Sequence, residues 1–237
     1  MAVKHFLDTR GVAYHSVNVL EDKNAMARLA SLGVRSVPVV VRDGRYVFAQ
    51  YLPDVSAFLG LDKGSIATLD RMELASRLVQ FLEIALEVLI ETPELELARN
   101  LPGRDRSYFV VAHHVFQIAA AARRGITDGR LLDRDSLAEP PVNMATRDAL
   151  LDFSQEVIVD IRNWPIQLAA ARETDNVVTD YGARSLAEVL HRVVSHAAQH
   201  TRQLVTWART IRVQLQRELS PTLLGGLDVA DDSFDQT

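Results

Sequence analysis

From about residue 65 onward the apolar residues of this chain return with helical period, and that period limits most of what the chain can fold into. Leu74, Leu78, Phe81, Leu82, Ala85 and Leu89 fall at i, i+4, i+7, i+8, i+11 and i+15, one face of an α-helix. Pro93 ends or kinks that helix, because proline has no N–H to give the backbone ladder. Ser107–Arg124 reads as a second helix closed by Gly125, and Thr146–Trp164 as a third stopped by Pro165. The fourth opens on Ser185-Leu186-Ala187-Glu188, a capping box in which each end side chain accepts the other's backbone N–H, and it can run to about Leu219 before Pro221. Four amphipathic helices with longer loops between them make an all-α four-helix bundle over residues 65–220. The stretch 225–237 carries Gly and Asp and reads as a disordered acidic tail.

Residues 1–62 follow a different pattern. Lys4–Arg10 reads as the end of a helix closed by Gly11, Ala13–Val19 as a strand, and Asn24–Leu32 as a helix capped by Gly33. Val37–Val41, with Pro38 near its start, is a nearly continuous apolar run bounded by Asp43-Gly44. That pattern suits a buried strand turning into a hairpin with Tyr46–Phe48. Val55–Leu59 closes the unit as a short helix before Gly60. The expected fold is therefore α+β in two domains, a small α/β unit followed by an all-α one.

Composition removes several function classes. A chain of 237 residues with formal net charge −5 has room for two cores but lacks the basic face that a phosphate backbone requires, so no nucleic-acid partner is expected. No apolar run reaches the ~20 residues of a membrane span, and charges interrupt the N-terminus where a signal peptide would need an apolar stretch. A cytoplasmic protein with no membrane partner is expected. Cysteine is absent, which excludes disulfides, thiolate nucleophiles and Cys-ligated zinc and leaves His, Asp and Glu as metal ligands.

The histidines then carry the chemistry. His196 and His200 lie four apart in the fourth helix, ~40° and ~6 Å from each other on one face, a spacing at which two imidazoles can hold one ion. Val193, Val194, Ala197 and Leu204 surround the pair and turn it toward the core, while His191 lies roughly opposite. His113 and His114 occupy an apolar stretch of the second helix, Val110 to Phe116. Adjacent helical residues cannot face the same way, so one of the two points inward and the other is solvated. A buried neutral imidazole needs partners for both ring nitrogens, and a metal with an outer acceptor supplies them. Arg202 and Gln203, beside His200, are candidates for a substrate carboxylate or for the metal's outer shell. Trp164 and Trp207 read as packing residues.

With the fourth helix reading Val-Ser-His-Ala-Ala-Gln-His-Thr-Arg-Gln-Leu, residues 65–215 resemble the DinB/YfiT-like superfamily, whose His-x-x-x-His-x-x-Gln-Leu pattern is matched here by His196, His200, Gln203 and Leu204. The stretch Arg106-Ser107-Tyr108 to His114-Val115-Phe116 is similar to the family's second helix. Trp164 and the Asp180-Tyr181-Gly182 segment also fit. The resemblance implies a mononuclear site on His114, His196 and His200, with His113 as its neighbour. It implies zinc or, in some members, nickel or iron, and association into a homodimer. It also implies transfer of a low-molecular-weight thiol, of the mycothiol or bacillithiol type, to an electrophile. Metal-activated hydrolysis or isomerisation, and a non-enzymatic metal-stabilised binding protein, are the alternatives.

Residues 1–62 resemble a truncated glutaredoxin-like domain through Lys4 to Val12 and Gly33 to Val40. The resemblance implies that Pro38 is cis. The match begins inside the family's first helix, so the first strand and the redox cysteines have no counterpart. Either Met1 is not the true start or this half is a degenerate remnant. Without that strand, the half is expected to be less stable than the bundle.

Overall fold

The computed structural model describes residues 2–19, 21–22, 24–34, 37–61, 69–102, 105–164, 168 and 176–229. By internal contacts the chain divides into two compact units, Met1–Ile66 and Ala67–Thr237.

The first unit holds helices α1 (Ala2–Asp8), α2 (Ala25–Ser31) and α3 (Leu52–Leu59) and strands β1 (Val39–Arg42) and β2 (Arg45–Phe48). The strands are antiparallel, with Val39 opposite Phe48 and Arg42 opposite Arg45. Asp43 and Gly44 turn the hairpin with φ of 51° and 70°, the left-handed pair that a two-residue loop of this twist demands. The Val37–Pro38 peptide bond is cis. Phe6, Leu7, Ala49, Leu52 and Val55 form a small core. Ala13–Val19, expected as a strand, is not one. A strand exists only as part of a ladder, and the one sheet among the described residues of this unit is β1–β2, which Ala13–Val19 does not join. Tyr14 and Val17 are left exposed.

The second unit is largely helical. Its elements are α4 (Arg71–Glu91), α5 (Glu94–Leu97), α6 (Tyr108–Thr127), α7 (Asp133–Ser136), α8 (Arg147–Arg162), the antiparallel pair β3 (Asn176–Thr179) and β4 (Gly182–Ser185), α9 (Leu186–Thr210) and α10 (Pro221–Leu224). The four long helices begin at side-chain caps that satisfy otherwise orphaned N–H groups: Asp70 for α4, Ser107 for α6, Thr146 for α8, and the Ser185–Glu188 capping box for α9. α9 lies against α4 and α6, and α8 packs against the same two helices. Leu74, Phe81, Phe116, Leu150, Ile161 and Leu190 fill the shared core. Trp164 and Trp207 are buried in it, and the Trp207 ring stacks on Tyr108 with centroids 3.6 Å apart.

Three boundaries differ from the sequence reading. α6 does not close at Gly125 but runs through it to Thr127. A Cβ on Gly125 would lie 2.7 Å from the Arg130 carbonyl oxygen, so this glycine serves a close backbone approach rather than a cap. α9 ends at Thr210, not near Leu219. Arg212 turns left-handed at φ 62°, and the Val213 N–H donates to the Ala208 carbonyl at 2.9 Å, the six-residue closure of a Schellman end. The chain then runs past α4, where the buried Glu87 carboxylate accepts the backbone N–H groups of Gln216 and Arg217. The acidic stretch from residue 225, expected as a disordered tail, is placed as far as Val229. Leu227 and Val229 pack against the core, and His191 Nε2 lies 2.9 Å from the Gly226 carbonyl. Residues 230–237 and Pro165 lie outside the described residues. No helix among the described residues is long and apolar enough to cross a membrane.

Candidate metal centre

α6 and α9 pack side by side, and their facing sides bring three histidines to one point. α9 presents His196 and His200 one turn apart, and α6 presents His114. The Nε2 atoms of His114 and His196 are 3.4 Å apart. The three ring centroids are separated by 5.1, 4.7 and 5.0 Å. One nitrogen from each ring lies within 4.8 Å of the other two. Two ligands at 2.0–2.1 Å on a tetrahedral ion are about 3.3 Å apart, so the His114–His196 pair already has ligand spacing. Among the described residues no Asp or Glu joins the cluster.

Two further groups orient the rings. The His200 Nδ1 lies 2.8 Å from Gln203 Oε1. An amide oxygen only accepts, so Nδ1 carries the proton and Nε2 is left with its lone pair. His114 is hydrogen-bonded to the backbone of Ser136 in α7. Its Nε2 faces His196, so Nδ1 is the nitrogen available to Ser136. Both histidines thus have the outer partner typical of a metal-bound imidazole.

Burial keeps His114 and His196 neutral. It pushes the His114 pKa down to about 2, helped by the charges of His200, Arg106 and His113 and opposed by the Ser136 bond. His196 is held well below its ordinary value by burial first, then by His200, His114, Arg192 and Arg106. Neutral imidazole is the form that binds a metal, so acid competes weakly with a cation here. His114 is 2% exposed, whereas His196 and His200 are part-buried. The donor set fits a divalent ion held by three neutral nitrogens with a further position available to an outside ligand.

The other candidates fall elsewhere. His113 was expected in solvent as the outward neighbour of His114, yet it is 2% exposed. α6 is covered by α8 as well as α9, so its other face is also interior, and His113 stacks on Phe153 at 5.5 Å. Its Nδ1 has no hydrogen-bond partner among the described residues, and burial lowers its pKa. Arg202 follows His200 by two residues, which turns it ~200° round the helix from that ligand. Pro38 belongs to the first unit. Sequence reasoning missed Ser136, Arg106, Asp133 and Arg192. Only Arg192 left a signal, four residues before His196 and so on the same helical face.

A glutaredoxin family model matches residues 1–47. That stretch contains no cysteine, so the similarity brings no dithiol chemistry with it. A search among curated proteins gives no match to the chain.

Proposed function

We propose that the second unit is a DinB-like four-helix bundle whose His114, His196 and His200 hold one divalent ion, zinc first and nickel or iron as alternatives. We further propose that the protein transfers a low-molecular-weight thiol to an electrophile. The observation that carries this reading is the convergence of three imidazoles, with no carboxylate joining them among the described residues. Three neutral ligands leave the ion its full charge and a free position, the open arrangement of catalytic rather than structural zinc. An ion held on these three residues would supply a Lewis acid that favours the ionised, nucleophilic form of a bound thiol. The chain's own part is to orient the ligands through Gln203 and Ser136 and to exclude water from the His114 side, where burial is nearly complete. The absence of cysteine removes any competing protein thiol.

The test is a thiol-consumption assay on metal-loaded and metal-stripped protein, with mycothiol or bacillithiol and a panel of electrophiles. Consumption that requires both the metal and His200 supports the reading. A protein that binds metal but leaves the thiol untouched, while hydrolysing activated esters, would assign the free position to water and make the protein a hydrolase.

A further inference from the structure

Arg192 stands one helical turn before His196 on α9, ~6 Å along the axis and ~40° round it, and so borders the same side of the helix as the two histidines. Its guanidinium is held in place. One NH2 donates to Asp133 Oδ1 at 2.9 Å, and the guanidinium carbon lies 5.1 Å from the centroid of the Tyr181 ring. Asp133 is itself fixed, its backbone N–H donating to Asp180 Oδ2 at 2.6 Å. Asp133 opens the single turn α7, and Ser136, which closes that turn, bonds to His114. The same short helix therefore anchors the arginine and a metal-ligand candidate, which places the two on one side of the cluster. The Nε and second NH2 of Arg192 make no hydrogen bond among the described residues, and the side chain is 20% exposed. The positive charge of Arg106, just before α6, also bears on His114 and His196.

We infer that Arg192 is the anchor for an anionic oxygen group, a carboxylate or phosphate, on the molecule whose donor atom enters the free position of the tri-histidine centre. This rests on the metal-binding reading and adds to it a substrate class: small molecules that carry both a metal-binding donor atom and an anionic oxygen group. A guanidinium with one edge held by Asp133 and a face against Tyr181 keeps its remaining donors in a fixed fork, which suits two-pronged recognition of carboxylate or phosphate. A lysine on a free stem would lack that preorganisation.

The experiment uses the full chain loaded with Co2+, whose visible absorption reports occupancy of the centre before any thiol is added. Near-ultraviolet thiolate-to-cobalt absorption then reads binding of 3-mercaptopropionate and of its neutral amide. The wild-type protein should bind the acid about tenfold more tightly than the amide, as expected for a charge-assisted pair, and the preference should shrink with added salt. Arg192→Gln should bring the acid down to the affinity of the amide, and Arg192→Lys should restore part of the difference. Equal affinities in the wild type, or a preference that survives Arg192→Gln, would overturn the inference. If the glutamine variant does not fold, the wild-type comparison and the lysine variant still decide it. Failure of Co2+ to bind the wild type at all would instead bring down the metal reading, and this inference with it.

Discussion

The proton on His200 Nδ1 is held by the Gln203 amide oxygen, which leaves Nε2 as the lone-pair donor toward His114 and His196. Gln203→Leu removes that acceptor, and metal affinity should fall by roughly 10- to 100-fold while the helices persist. The measurement is competition against a chelating dye, with circular dichroism on the same sample. His200→Ala should abolish binding without loss of helical signal, because the core of Leu74, Phe81, Phe116 and their neighbours does not depend on the ion. Loss of both signals together would mark a structural metal. Acid offers a second check at this scale. The His114 pKa is depressed to about 2 in the folded chain and is near 6.5 when unfolded, so the unfolded chain binds more protons between those values. Metal-free protein should therefore be fully stabilised above about pH 6.5 and lose up to about 1.4 kcal/mol per pH unit through His114 as the pH falls into that window. Urea midpoints at pH 7 and pH 5 test this, and His114→Gln should reduce the dependence while the part carried by His196 and His113 remains. The His196–His200 pair was legible in the sequence because a four-residue spacing on a helix has one geometric meaning. The burial of His113 was not, because only the packing of α8 on α6 makes both faces of α6 interior.

Element boundaries followed their chemistry wherever the deciding contact was local. The Ser185–Glu188 box opens α9, and the Asp43-Gly44 pair turns the first hairpin; both signals sit within four residues. Boundaries set by distant contacts were not legible. Gly125 reads as a helix stop, yet its missing Cβ makes room for Arg130, whose N–H donates to the Gly125 carbonyl at 2.7 Å. Gly125→Ala would press a methyl group against backbone, which cannot rotate away. We expect a loss of ~1–3 kcal/mol in urea unfolding, opposite in sign to the usual gain from alanine in a helix. The end of α9 is similar. The apolar pattern runs on toward Leu219, but Arg212 reverses the chain and Glu87, far off in sequence on α4, holds the returning segment by its N–H groups. The β3–β4 hairpin escaped notice because its strands span only four residues each and offer too short a pattern to read.

At the scale of the whole molecule, internal contacts divide the chain into Met1–Ile66 and Ala67–Thr237. Among the described residues, the first unit has a two-stranded sheet and a core of Phe6, Leu7, Ala49, Leu52 and Val55, whereas four long helices share the core of the second. Two strands with so little covered surface are marginal by themselves. Amide hydrogen exchange should therefore be faster across β1 and β2 than in the middles of α4, α6 and α9, and the reverse order would show that the first unit has support beyond its own core. The proposed metal centre requires the three histidines to act together as one site. Its most direct test is the metal content of the full chain, purified without a histidine tag, beside His114→Ala and His196→Ala prepared identically. About one divalent ion per wild-type chain and almost none in either variant is the predicted result. A wild-type protein that takes up no stoichiometric zinc, cobalt or nickel, or a variant that keeps its ion, would contradict it.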